Sequence, residues 1–168
     1  RLLYEVGKLL GNTLDLEEIY DNVYFVIYGI MPCDSLVISS YNADDKLIRC
    51  VHVRQDGVPL DVSEYPPIPL NTEGKGIQSI VIRTGESLLI ADYQAYLKTA
   101  QVSYYIDEEG LRDSDEVIEE EDITRSALII PLNHGGQVIG VIQVQSYRMA
   151  AFSEDHLRII EALAPQIA

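Results

Sequence analysis

The chain has 168 residues, 47% hydrophobic and 23% charged, with a net charge of −15 at pH 7. These proportions suit one globular domain with its own core, and no apolar run reaches the ~18 residues of a membrane span. Such a charge repels nucleic acid and anionic membrane alike, which excludes both as partners of this domain.

The first apolar repeat, Leu2, Leu3, Val6, Leu9 and Leu10, has helical spacing and ends at Gly11. Asp15 is placed as the N-cap of a second helix, with Glu18 as its box partner and Leu14 and Ile19 as the staple. Ile19, Val23, Val26, Ile27 and Ile30 form its apolar stripe, and Pro32 stops it after Met31. Ser35–Tyr41 and Lys46–Arg54 read as strands around an Asn42-Ala43-Asp44-Asp45 turn, an antiparallel hairpin.

Val58–Leu70 holds four of the seven prolines and is expected to be an ordered loop without a regular ladder. Gly74 and Gly76 then lead into a short helix with Ile77, Ile80 and Val81, which Thr84-Gly85 ends. Ser87–Ala91 is a strand. Tyr93–Asp122 reads as a variable insertion without regular structure, tyrosine-rich at first and then acidic. Within it, Asp107–Asp122 carries ten acidic residues and one Arg, the pattern of a solvated, mobile loop.

Ser126–Leu132 and Gln137–Ser146 form a second hairpin around Asn133-His134-Gly135-Gly136. Ser153 caps a closing helix whose face is Leu157, Ile160 and Leu163, with Pro165 as a kink or an end. The expected architecture is α+β: an antiparallel sheet of five or six strands, terminal helices on one face, and a loop and short helix covering the other.

The two cysteines, Cys33 and Cys50, fit no metal or redox motif. Unpaired thiols point to a reducing, cytoplasmic setting. The chain carries no signal peptide and no initiator Met, and is expected to be a piece of a longer protein.

Four motifs in order resemble GAF domains, the sensory modules of signalling proteins. They are Leu2-Leu3-Tyr4-Glu5-Val6 with Thr13-Leu14-Asp15-Leu16-Glu17; Glu73-Gly74-Lys75-Gly76-Ile77 with Thr84-Gly85-Glu86-Ser87; the Pro131-Leu132, Ile139-Gly140-Val141 and Gln145-Ser146 hairpin; and Phe152-Ser153-Glu154-Asp155 with the final helix. The resemblance covers nearly the whole chain except residues 93–122. It implies a ligand pocket between sheet and cover, a homodimer through the terminal helices, and an attached output domain such as a histidine kinase, a diguanylate cyclase or a transcription regulator.

The family's ligands differ in chemistry, and fold does not choose among them, so the cofactor is left unknown. The Asn-Lys…Phe…Asp-Glu pattern of cyclic-nucleotide binders is missing. Neither cysteine precedes a His as a bilin attachment site does. Among His52, His134 and His156, only His52 is placed to point inward, as a structural residue before a haem ligand. The acidic insertion has no calcium-loop spacing. The candidate pocket residues are Arg49, Val51, Val53, Ile77, Tyr93, Tyr96, Tyr104 and Tyr105, with Arg54 and Arg83 as further cations for a carboxylate. Leu36, Ile38, Val51, Val53 and Ile142 are expected to floor that pocket.

Two other readings accompany this non-catalytic sensor. One is a ligand-free dimerisation and relay module. The other is an enzyme similar to the GAF branch that reduces free methionine sulfoxide, which needs an activated thiolate and a resolving thiol. Cys33 follows a helix C-terminus and Cys50 sits mid-strand, so both read as small core residues.

Overall fold

The computed structural model describes residues 15–72, 76–100, 104–107, 110–113 and 123–167, of which 99–113 by backbone alone. The helix expected over 1–11, the staple residue Leu14 and most of the acidic stretch lie outside these residues.

Helix α1 spans Leu16–Ile30. Asp15 caps it, its side chain accepting from the Glu17 N–H at 3.0 Å. After the turn at Met31 and Pro32, β1 (Ser35–Asn42) and β2 (Leu47–Gln55) form the first hairpin, with a register shift after Ile38. The proline-rich segment supplies two edge strands of two residues each, β3 (Val58–Pro59) and β4 (Ile68–Pro69), both pairing with β2. The expected loop therefore does contribute to the ladder, but only at the sheet edge, where a missing N–H is tolerated.

Helix α2 (Ile77–Thr84) starts at Gly76, φ 83°, and stops at Gly85, φ 69°, whose N–H reaches the Val81 carbonyl at 2.8 Å. Strand β5 covers Leu88–Ile90. The next segment corrects the sequence reading: the start of the supposedly irregular insertion is helix α3 (Tyr93–Ala100), followed by a hairpin of β6 (Tyr104–Asp107) and β7 (Gly110–Asp113). Asp92 caps α3 through the Ala95 N–H at 3.1 Å. Tyr93, Tyr96 and Leu97 share one side of it, at i, i+3, i+4 spacing.

Strands β8 (Ser126–His134) and β9 (Gln137–Ser146) meet at a two-residue turn, Gly135-Gly136, with φ 59° and 80°. Both strands run on to this turn, so His134 is a strand residue. Helix α4 (Glu154–Ile167) keeps Pro165 inside its last turns and continues past it.

The main sheet is antiparallel with order β3-β2-β1-β9-β8-β5, and β4 beside β2 as its seventh strand. Alternation along the central strands gives each face its own core. On one face Leu36, Ile38, Leu128, Ile130, Ile142 and Val144 pack with Val23 and Ile27 of α1 and Ile160 and Leu163 of α4. On the other, Ile129 and Val141 pack with Ile77 and Val81 of α2 and Tyr93 of α3. The fold is thus three layers: end helices, sheet, and the α2–α3 cover.

Gly140 marks the tightest point between central strands. It pairs with Ser40, and a Cβ there would run into the carbonyl oxygen of Ser39.

Candidate functional site

Register aligns a row across the cover face: Val53 opposite Val37, Val37 opposite Gln143, Gln143 opposite Ile129, and Ile129 opposite Leu88. Four members are aliphatic. The central member is an amide, and it is buried. A central strand covered on both faces needs no polar side chain there, so its presence calls for partners.

Gln143 finds them in the cover. Its Nε2 donates to the Tyr93 hydroxyl at 3.3 Å, and its Oε1 accepts from Gln78 Nε2 at 3.4 Å. One polar trio thus bridges β9, α2 and α3. Both bonds are longer than the usual 2.9–3.0 Å for N–H···O. Burial pushes the Tyr93 hydroxyl up to about 12, against the lowering effect of its bond to Gln143, so it keeps its proton throughout the physiological range. Ser39 is buried in the next row, between Val141 and Cys50. Val37 and Val53 are buried beside Gln143 yet belong to neither apolar core.

The residues chosen from sequence divide. Ile77 and Tyr93 are buried in the cover-side core, and Tyr96 packs against it half-buried. Val53 lies in the Gln143 row. Tyr104 and Tyr105 lie on β6, opposite Asp113 and Arg112, with side chains outside the described residues. Arg49 is tied to Asp45, four residues earlier, at 2.7 Å. Val51 packs on the helical side, as do Leu36, Ile38 and Ile142, so the expected floor is corrected: of those five, only Val53 is aligned with the cover-face row. The register shift after Ile38 defeated simple alternation at Val51.

Arg54 also faces the helices, bonded to Asp21 at 3.1 Å and lying over the rings of Tyr24 and Phe25. Arg83 is exposed on α2. His52 is buried against Tyr20, its Nδ1 3.6 Å from a Glu17 carboxylate oxygen and its Nε2 without a partner among the described residues. Burial lowers its pKa, with Glu17 and Asp21 acting in the opposite sense. His134 is exposed, and His156 Nδ1 accepts from the Ser153 N–H. No group of three or more metal-ligating side chains exists among the described residues.

Burial pushes both thiols up to about 12. Cys33 sits in the helical-side core, and Cys50 lies opposite Ser39 on β2.

Gln143 and Gln78 escaped the sequence reading. The available signal was the run Ile139-Gly140-Val141-Ile142-Gln143-Val144, in which an amide interrupts a strand otherwise apolar on both faces.

A family model described as GAF domain matches residues 13–168, and the chain belongs to that family. No curated protein matches it. Among solved structures, the GAF domain of an Acinetobacter phosphoenolpyruvate-protein phosphotransferase is 16% identical, with a TM-score of 0.74 over 99% of this chain and 87% of that one. The corresponding domain from Coxiella burnetii is 17% identical, with a TM-score of 0.73 over 99% and 88%. A free methionine-R-sulfoxide reductase from Neisseria meningitidis, solved with its substrate, is 17% identical, with a TM-score of 0.69 over 99% and 83%. At these identities the likeness is one of fold. The neighbours include signalling-protein domains and enzymes alike.

Proposed function

We propose that this GAF domain is a non-catalytic sensor that binds a small molecule between the sheet and the α2–α3 cover, at the Gln143–Tyr93–Gln78 trio. The observation that carries this reading is the buried amide at the centre of the sheet, joined by long hydrogen bonds to both covering helices. Ile77, Tyr96 and Val53 frame the same place, and Tyr104 and Tyr105 follow α3 in the chain.

The relay follows from strand alternation. Gln143 faces the cover, while its neighbours Ile142 and Val144 sit in the core shared with α1 and α4. A shift of β9 at Gln143 is therefore felt by the helices on the far face. Binding changes output to the extent that the ligand prefers one helix arrangement over the other. The domain works in the cytoplasm, as a homodimer through its terminal helices, and acts on an output domain in the same polypeptide: a histidine kinase, a diguanylate cyclase or a transcription regulator. Helix α4 turns its apolar residues into its own core. Among the described helices, α1 exposes large apolar side chains, at Leu16, Phe25 and Tyr28.

The reductase reading is disfavoured by the thiols. Their pKa values are pushed away from neutrality, the reverse of what a nucleophile needs.

The test is a thermal-shift panel of cytosolic metabolites on the parent and on a Gln143→Leu, Tyr93→Phe double variant. A compound that stabilises the parent and not the variant supports the site. A compound that stabilises both equally places binding elsewhere, and an unresponsive parent favours the ligand-free relay module.

A further inference from the structure

The charge on the cover face separates the ligand classes open to such a site. Among the described residues the buried charged or titratable bases are His52 and Arg54, and both face α1 on the opposite side of the sheet. Arg49 is held outside by Asp45, and Arg83 is exposed. Among the described residues, the polar groups left between the sheet and the cover are uncharged: two amides, a hydroxyl that stays protonated, and the Ser39 and Ser79 hydroxyls.

The trio also keeps hydrogen-bonding capacity. An amide side chain offers two N–H donors and a carbonyl with two lone pairs, and a phenol offers one donor besides its acceptor sites. Gln143 uses one donor and one acceptor, Gln78 one donor, and Tyr93 one acceptor. A docked group carrying both a donor and an acceptor can take up the rest without leaving a buried polar atom unpaired. A carboxylate or phosphate could accept from the unused N–H and O–H donors but has no donor for the unused carbonyl lone pairs, and it would lose its hydration without meeting a cation among the described residues. The domain's net charge of −15 adds to that cost.

Resting on the binding site proposed above, we infer that its ligand is an uncharged molecule that docks an amide-like edge, such as a primary carboxamide or a lactam, on Gln143. Val37 and Val53, beside Gln143 in the same row, then form the apolar floor for the rest of that molecule.

The experiment uses a matched pair of probes, benzamide and benzoate, which share a ring and differ in edge and charge. Each is titrated into the isotope-labelled domain, and the side-chain amide resonances of Gln78 and Gln143 are followed by NMR. Benzamide is expected to move both resonances and to bind at least about tenfold more tightly than benzoate, which would bury an uncompensated charge. The response of Gln78 is lost in Gln143→Leu. It is weakened in Tyr93→Phe, a smaller change that keeps the ring. Benzoate binding as tightly at the same resonances overturns the ligand class and leaves the site standing. Movement of neither resonance by either probe overturns both.

Discussion

His52 and the two cysteines turn burial into measurable chemistry. The folded-state pKa of His52 lies below its unfolded value of 6.5, because burial opposes the charged ring more than Glu17 and Asp21 favour it, with Arg54 also lowering it. As pH falls below 6.5 the unfolded chain takes up the proton first. Stability is therefore lost between 6.5 and the depressed pKa, and levels off below it. Urea midpoints at pH 7.5 and 5.5 should fall further in the parent than in His52→Gln; an equal fall would show that the ring is charged in the native state. The thiols obey the same rule at the other end of the scale. With pKa values near 12 against an ordinary 9.0, each holds roughly a thousandfold less thiolate than a free cysteine. Native labelling by iodoacetamide at pH 8 should be slow at both, and rapid labelling of Cys50 would reopen the reductase reading.

At the level of elements, most of the fold was legible where local chemistry and tertiary packing agree. Asp15 caps α1, Gly85 ends α2, and Gly135-Gly136 makes the last hairpin turn. The α1 stripe of Ile19, Val23, Val26, Ile27 and Ile30 faces the core as its spacing predicts. Helix α3 was not legible because the four tyrosines and the acidic run of 93–122 mask a short helical signal, the Asp92 cap and the Tyr93, Tyr96, Leu97 spacing. The site was less legible than the fold. Local pattern places Ile77 and Tyr93 on the cover side, but Gln143 and Gln78 meet only through a pairing 65 residues apart, which no local pattern reports. The same register makes Gly140 a demanding position. Gly140→Ala drives a methyl into the Ser39 backbone and should cost about 1–3 kcal/mol by denaturant melting. A neutral result would mean that β1 and β9 have room to separate. Ile160→Ala in α4 empties a fully buried site and should cost about 2–5 kcal/mol. A cost under about 1 kcal/mol would mean that α4 is not seated on the sheet as described.

Across the whole molecule, the sheet is a thin partition between two different faces. One side holds a helical layer joined to the sheet by an apolar core, with the Glu17–His52 and Asp21–Arg54 contacts at its edge. The other holds an uncharged polar trio beneath α2 and α3. Consecutive residues of β9 touch both, so the partition is one residue thick at Gln143. A sensor built this way requires that occupancy of the cover side be felt on the helical side. Hydrogen exchange with and without a compound that raises the melting temperature tests this most directly. Slower exchange is expected over 77–84, 93–100 and 138–146, together with a change in α4 over 154–167, which lies on the far side of the sheet from the proposed site. Protection confined to the cover, with α4 exchanging as before, would contradict it.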